Sequence, residues 1–333
     1  MASGPASPAN SPDTVLVTGG AGFIGSHLCE ALLEKDYKVI CLDNFCDFYS
    51  PRIKRENIGD CLGKPGFELV EADIRDTEAL ERVFKAHKPE LVIHLAALAG
   101  VRPSLADPEL YAQVNILGTL NILQICARHS AKRFIFGSSS SVYGNNPQIP
   151  FFESDPVDNP ISPYAATKKS AELLCHTWHH LHGLSILCLR FFTVYGPRQR
   201  PDLAIRKFLE LMSRGEPLPV YGDGSSSRDY TYITDIIDGI LGAIGYIRKH
   251  HGYEVINLGN DRGIRLDEMI ATLEKASGLT ARIERLPVQS GDVTRTRADI
   301  TKARAMLGYS PDTSFGEGVA KFWRWWQGQE RSV

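Results

Sequence analysis

The chain has 333 residues, 43% of them hydrophobic, with a formal net charge of −2, which is enough to bury one large core or two moderate ones. It shows no sustained basic run for nucleic acid or an anionic membrane. No apolar run reads as long enough to span a bilayer, and Met1 to Asp13, rich in Ala, Ser and Pro, lacks a signal pattern and reads as a disordered tail.

From Thr14 short β-branched runs alternate with helical stretches: TVLVTGG, a helix from about Gly22, then KVICLDN, which together read as a βαβ unit. The alternation continues through FELVEADIRD, a helix near Thr77 to Ala86, LVIHLAA, a helix around Leu110 to His129, RFIFGSSS and SILCLRFF. Such a series predicts a parallel sheet with helices on both faces. From about Pro197 the elements shorten and Pro, Gly and Arg increase, so residues 197–330 are expected to form mainly a smaller substrate-binding domain. Residues 14–196 then form mainly the nucleotide-binding one, with some segments interleaved. Phe322, Trp323, Trp325 and Trp326 read as a helix packed on the core. The seven cysteines, Cys29, Cys41, Cys46, Cys61, Cys126, Cys175 and Cys188, form no CxxC pair, and a reduced, cytoplasmic protein is expected. No metal site is read.

Gly19, Gly22 and Gly25 in GGAGFIG lie between the first strand and the first helix, where absent Cβ atoms allow a tight turn and close approach to a pyrophosphate at the helix N-terminus. Asp43 ends the second strand about twenty residues on, where a carboxylate accepts ribose hydroxyls and repels a 2'-phosphate. The pattern favours NAD over NADP. Arg52, Lys54 and Arg55 follow and are expected to be a solvated surface run.

The GxxGxxG spacing resembles the extended short-chain dehydrogenase/reductase family, and implies an α/β fold with a Rossmann-type doubly wound sheet. By that resemblance Phe23, Ile24 and Asn44 join the cofactor site, Asp73 and Ile74 in ADIRD line the adenine pocket, Leu95, Ala96 and Ala97 in HLAA line its centre, and Asn115 helps hold the cofactor.

Tyr164 and Lys168 in YAATK are an i, i+4 pair that a helix places on one face, so the ammonium is expected near the phenol, favouring its ionised form. An unperturbed tyrosine, with a pKa of about 10, is a poor base at neutral pH, and a neighbouring cation with an oxidised nicotinamide would lower it. GSSSSVYG follows a strand and places hydroxyls at the carboxyl end of the sheet. The family pattern selects Ser139 as the third catalytic member, with Ser140 and Ser141 as rivals. These groups suit alcohol oxidation: Tyr164 takes the hydroxyl proton while hydride leaves the same carbon.

The segments SSSSVYG, SPYAATKKSAE, RFFTVYGPRQRPDLA, RDYTYITDI and GDVTRTRADI resemble UDP-glucuronate 4-epimerases along nearly the whole chain after the tail. The resemblance implies C4 epimerisation of UDP-glucuronate to UDP-galacturonate through a 4-keto sugar, with NAD regenerated each turnover, and a homodimer paired through the helices near Leu110 to His129 and Tyr164 to His182. Thr193 with the hydroxyls of Ser139, Ser140 and Ser141 is the expected donor set for the sugar carboxylate. Arg102 and Arg200 are further anion-binding candidates, each with a structural ion pair as the alternative. Val220 and Tyr221 resemble the uracil-contacting segment, Arg228 a pyrophosphate clamp and Asp292 a uridine ribose ligand. Where related dehydratases carry an Asp-Glu pair this chain has Ser140 and Ser141, which disfavours dehydration. The competing readings are a UDP-glucose or UDP-N-acetylglucosamine 4-epimerase, a UDP-glucuronate decarboxylase and a non-catalytic NAD-binding sensor.

Overall fold

The computed structural model describes residues 13–287 and 293–330. Its first half alternates β1 (Thr14–Thr18), α1 (Phe23–Leu33), β2 (Lys38–Asp43), α2 (Pro51–Asn57), β3 (Phe67–Glu71), α3 (Thr77–His87) and β4 (Leu91–His94). Then come α4 (Val101–Ala106), α5 (Pro108–Ala112), a π-helical segment (Gln113–Gly118), α6 (Thr119–Arg128), β5 (Arg133–Ser139), α7 (Pro163–His182) and β6 (Ser185–Phe191). The remainder comprises β7 (Thr193–Tyr195), α8 (Ala204–Ser213), β8 (Pro217–Tyr221), β9 (Ser227–Tyr232), α9 (Ile233–Lys249) and β10 (Tyr253–Leu258). It ends in β11 (Gly263–Arg265), α10 (Leu266–Ser277), β12 (Arg282–Leu286), α11 (Thr301–Leu307) and α12 (Phe315–Glu330).

Seven strands form one sheet in the order β10-β6-β5-β4-β1-β2-β3, and every pair in it is parallel. The strand order reverses between β1 and β4, so the crevice outside their carboxyl ends is where a sheet of this kind receives a ligand. Successive residues of β1 serve opposite faces: Val15 and Val17 pack with Val39, Cys41 and the helix α1 residues Leu28 and Leu32. Leu16 packs with Ile40, Val92, Phe134 and the α3 and α6 residues Phe84, Ile122 and Ile125.

The sheet does not respect position 196. β10 pairs with β6, from Tyr253↔Ile186 to Leu258↔Phe191, so a C-terminal segment completes the first sheet. Conversely β7 joins β9 and β11 in a small three-stranded sheet, and β8 pairs with β12. Apolar packing is continuous across this exchange, because the cluster holding Val15 also contains Leu209 of α8, Leu273 of α10 and Phe322 of α12. The C-terminal aromatics do pack on the core: Phe322 is buried, and Arg206 lies over the rings of Trp325 at 5.7 Å and Trp326 at 5.6 Å.

One expectation is corrected here. The continuous helical run Pro108–Arg128, of 21 residues, is long and apolar enough by length and composition to cross a membrane. Within this fold it packs against α3 and α7, and its apolar residues Ile122, Leu123, Ile125 and Cys126 are buried in the sheet core.

Candidate active site

The turn after β1 is built around absent side chains. Gly19 has φ +69, and a Cβ there would sit 2.7 Å from the Ala96 nitrogen. A Cβ on Gly25 would sit 2.2 Å from the Gly19 oxygen, and one on Gly22 3.1 Å from it. The helix α1 therefore rests directly on the turn. Gly22 caps it with no side chain over its first amides and with no acidic residue in its first turn, which leaves its N–H groups for an anion.

These glycines open into a cleft of about 1220 Å3, mouth included. Gly19, Gly22, Phe23, Ile24, Gly25, Asp43, Asn44, Asp73, Ile74, Leu95, Ala96 and Ala97 all line it, as do Tyr164 and Lys168. Asp73 accepts from Asn44 Nδ2 at 2.9 Å and from the Arg75 guanidinium. These contacts, Arg75 foremost, hold its carboxyl down at about 2. Asn115 is placed differently from the rest. It is buried, accepts from the Leu98 nitrogen at 2.8 Å, and donates to the Leu98 oxygen at 2.9 Å and Thr167 Oγ1 at 3.1 Å. It thus fixes the cleft wall from behind. A second buried chain does the same for Ala96, whose N–H donates to Thr18 Oγ1. Thr18 is bonded to His94 Nδ1 and Thr119 to His94 Nε2, while Thr119 itself donates to the Asn115 carbonyl. Burial keeps this imidazole neutral, at about 3.

The surface-run expectation fails at one residue. Arg52 pairs with Glu56 and Arg55 with Glu71 in solvent, but Lys54 is buried and lines the cleft 3.8 Å from Asp43 Oδ1. Lys54 and Asn57 form the inward face of α2, so the helical period held a signal that charge counting hid. Cys46, Phe48 and Tyr49 line the same wall and were also not anticipated.

Catalytic candidates gather where α7 begins. Ser162 accepts from the Ala165 nitrogen at 3.2 Å and Pro163 occupies the first helical position, a start signal that sets the phase of the helix. Tyr164, Lys168 and Glu172 then follow at successive turns. Burial raises the Tyr164 phenol above its ordinary value, and a hydrogen bond with Ser139 and the charge of Arg200 oppose the rise. The Lys168 ammonium donates to the Gly137 carbonyl at 2.7 Å, over the Phe136 ring. Burial lowers it to about 8. The positive charge that favours the Tyr164 phenolate here is that of Arg200, while the Lys168 ammonium is held by the Gly137 carbonyl.

The serine run divides by face. Ser138, on the same side of β5 as Phe134 and Phe136, donates to Glu172 Oε1 at 2.6 Å, and Glu172 is held at 2.9 Å through both oxygens by Arg190. Ser139 serves Tyr164 and accepts from the Ser141 nitrogen. Ser140 and Ser141 begin a short 3-10 turn and lie partly exposed.

A second cleft, of about 1510 Å3 with its mouth, is lined by Arg102, Thr193, Tyr221 and Arg228, together with Gln199, Asp202 and Lys207. The Arg102 guanidinium lies 4.5 Å from the centre of the Tyr221 ring. Val220 is buried in the core, so of its pair only the Tyr221 side chain opens to the cleft. Asp292 lies outside the described residues. Arg200 lines the first cleft and Asp202 the second, and they are joined by two bonds of 3.0 and 2.7 Å. The adjoining segment Leu98 to Val101 also passes from one cleft to the other. The two clefts therefore meet beside Tyr164. Arg198 instead ties to Glu30 of α1 at 2.6 Å, a structural role.

The glycine cradle, the open helix N-terminus and the Asp43 carboxylate fit a dinucleotide. Residues 15–259 match the model of the NAD dependent epimerase/dehydratase family. The UDP-glucuronate 4-epimerase of Thermodesulfobacterium geofontis is 42% identical over 312 residues, covering 93% of this chain and 95% of that protein. A crystal structure of UDP-glucuronic acid 4-epimerase from Bacillus cereus, in complex with UDP-glucuronic acid and NAD, superposes with a TM-score of 0.90 at 38% identity, covering 95% of this chain and 99% of that one. The UDP-glucose 4-epimerase of Thermotoga maritima with UDP-glucose gives a TM-score of 0.87 at 35% identity, covering 95% and 99%. With its glycine turn, its paired clefts and relatives matched over nearly their full length, the chain belongs to the NAD-dependent epimerase/dehydratase family.

Proposed function

We propose that this protein interconverts UDP-glucuronate and UDP-galacturonate by epimerisation at C4 of the sugar, with NAD held in the glycine-lined cleft and the UDP-sugar in the second. The observation that carries this reading is that Tyr164, with Ser139 hydrogen-bonded to it, lines the first cleft together with Arg200, whose ion-pair partner Asp202 lines the second.

When bound, NAD supplies the acceptor and then the donor of the C4 hydride, so the redox change closes within one turnover. The amides at the start of α1 hold its pyrophosphate, Asp43 its adenosine ribose, and Asp73 with Ile74 its adenine. Tyr164 Oη takes the proton of the C4 hydroxyl and returns it when the opposite face is reduced. Ser139 donates a hydrogen bond to that oxygen, and Arg200 favours the phenolate against the burial that opposes it. Lys168, which donates to the Gly137 carbonyl, turns another of its donors to the nicotinamide ribose. Thr193 and the Ser139 to Ser141 hydroxyls bind the sugar carboxylate, with Arg200 beside them. Holding that group away from alignment with the C4 carbonyl π system keeps the β-keto acid from losing carbon dioxide. Tyr221, Arg102 and Arg228 serve the uridine diphosphate. The cofactor part is read as mainly 14–196 and the sugar-nucleotide part as mainly 197–330, with segments interleaved: Gly100 to Pro103 and Thr193 reach the second cleft and Arg200 the first. Two copies pair through the helices near Leu110 to His129 and Tyr164 to His182, a reading that the exposure of Leu117 and Leu173 supports. The seven free cysteines suit a reduced, cytoplasmic setting.

The test is to incubate the purified protein with UDP-glucuronate, without added cofactor, and resolve products by chromatography and mass spectrometry. An isomer of unchanged mass identified as UDP-galacturonate, lost by about 10²-fold or more in Tyr164→Phe, is expected. No turnover after adding NAD while UDP-glucose is epimerised would sink the glucuronate assignment. Loss of carbon dioxide as the main reaction would make the protein a decarboxylase.

A further inference from the structure

The loop between β7 and α8 brings Arg200 to Tyr164, and its backbone is held in conformations that a free loop would leave. Gly196 has φ +139, and a Cβ there would sit 2.7 Å from the Ile233 side chain. Arg198 has φ +63, in the left-handed region, which is unfavourable for a residue with a Cβ and persists only where the surroundings enforce it. Two grips do so. On one side α1 supplies His27 and Glu30, three residues apart and so on one face of the helix. The His27 imidazole meets the Pro197 carbonyl at 3.0 Å, and because a carbonyl only accepts, Nε2 carries the proton. Glu30 holds the Arg198 guanidinium at 2.6 Å, with both side chains largely withdrawn from water. On the other side the buried Gln199 donates to the Val194 carbonyl at 3.0 Å, and the Arg206 guanidinium donates to the Gln199 carbonyl at 2.6 Å. Arg198 is thus committed to α1, while Arg200, two residues on, lines the first cleft over the Phe48 ring at 5.4 Å.

We propose that His27, Glu30 and Arg198 are positioning residues: they clamp this loop to α1 so that the Arg200 guanidinium stands beside Tyr164. The helix whose first turn faces the cofactor cleft then also fixes the charge that favours the phenolate. None of the three lines either cleft, so they act through Arg200. This rests on the reading of Tyr164 as the base. The other titratable groups near that phenol are Lys168, one turn along α7, and Tyr111 of α5, edge-on at 6.3 Å, and neither belongs to an element that the clamp holds. Asp202 and Tyr49 face Arg200 itself.

The experiment follows the NAD-loaded protein and its Glu30→Gln, Arg198→Gly, His27→Leu, His27→Gln, Arg200→Met and Arg198→Gly/Arg200→Met variants by two readouts. One is kcat against pH on UDP-glucuronate. The other is the ultraviolet absorbance of tyrosinate against pH, taken as the difference from the same variant carrying Tyr164→Phe, which titrates the phenol without any turnover. Glycine accepts a φ of +63, so Arg198→Gly removes the tie without adding strain, and thermal melts with heat-released NAD confirm folded, loaded protein. A phenol deprived of a neighbouring positive charge ionises at higher pH, so both profiles are expected to move up by about one pH unit or more in Arg198→Gly, Glu30→Gln and Arg200→Met, with kcat about tenfold lower on its rising limb and recovered at high pH. His27→Gln, which keeps a donor for the Pro197 carbonyl, is expected to stay nearer the parent protein than His27→Leu. The double variant is expected to match Arg200→Met, because the clamp has nothing further to act on. A kcat lowered at every pH with the tyrosinate profile in place, a double variant shifted well beyond Arg200→Met, or an unmoved profile in Arg200→Met would each overturn the clamp. A shifted tyrosinate profile in a parent protein that turns over no UDP-glucuronate would uphold the clamp and overturn the epimerase reading instead.

Discussion

Glu172→Gln is expected to be far more destabilising than its small change in shape suggests. The carboxylate accepts three bonds, from Ser138 at 2.6 Å and from Arg190 Nε and Nη2 at 2.9 Å each, with side chains 2% and 3% exposed. The third guanidinium nitrogen, Nη1, meets no hydrogen-bond criterion with any described residue, and the guanidinium carbon lies 4.8 Å from the Tyr143 ring, so the arginine depends on Glu172 for its countercharge. Glutamine keeps the length but removes the charge, leaving a buried cation. Breaking such a pair from one side costs about 3–5 kcal/mol, against a total domain stability on the order of 5–15 kcal/mol. Replacing the whole cluster, Ser138→Ala/Glu172→Met/Arg190→Met, leaves no orphan and is expected to cost less than the single change. Urea unfolding at a fixed saturating NAD concentration measures both. A loss below about 1 kcal/mol for Glu172→Gln, or a triple variant less stable than the single one, would refute the argument that an uncompensated charge is the main cost.

The remaining predictions concern the same site. Lys168, ordinarily near 10.5, titrates at about 8 because it is buried, so between pH 8 and 10.5 the unfolded chain binds more protons than the folded one. Stability contributed by this group therefore rises with pH across that window, while kcat/KM falls as pH rises through about 8 if the ammonium is the working form. Unfolding and rate profiles of Lys168→Met, lacking both features, check this. Gly25→Ala places a Cβ 2.2 Å from the Gly19 oxygen, backbone that cannot yield without moving the turn. A loss of about 1–3 kcal/mol and of most retained NAD is expected, measured by melting and by nucleotide content. Full retention would mean the cradle is not where the pyrophosphate lies.

Much of the site was legible because its signals are local. The glycine turn, the carboxylate at the end of the second strand and the Tyr164–Lys168 spacing each depend on a few consecutive residues whose backbone geometry is prescribed by their own chemistry. Parallel strands buried on both faces announce themselves as apolar runs. What adjacency could not decide was which group each polar side chain would meet. Four consecutive serines are alike in sequence, and only the docking of α7 on β5 sends Ser138 to Glu172 and Ser139 to Tyr164. Lys54 looked like its neighbours Arg52 and Arg55 until the packing of α2 buried one of the three. Arg200 lies far along the chain from Tyr164, yet its charge reaches the phenol, while Lys168, one turn away, turns to Gly137. The joining of β10 to β6 across the expected boundary belongs to the same class. The sequence by itself determined the local elements, the glycine turn and the catalytic residue types. Tertiary structure alone decided partners, burial and the meeting of the two clefts, since these depend on contacts between segments distant in sequence, and the free energy of a charge or hydroxyl depends on what surrounds it.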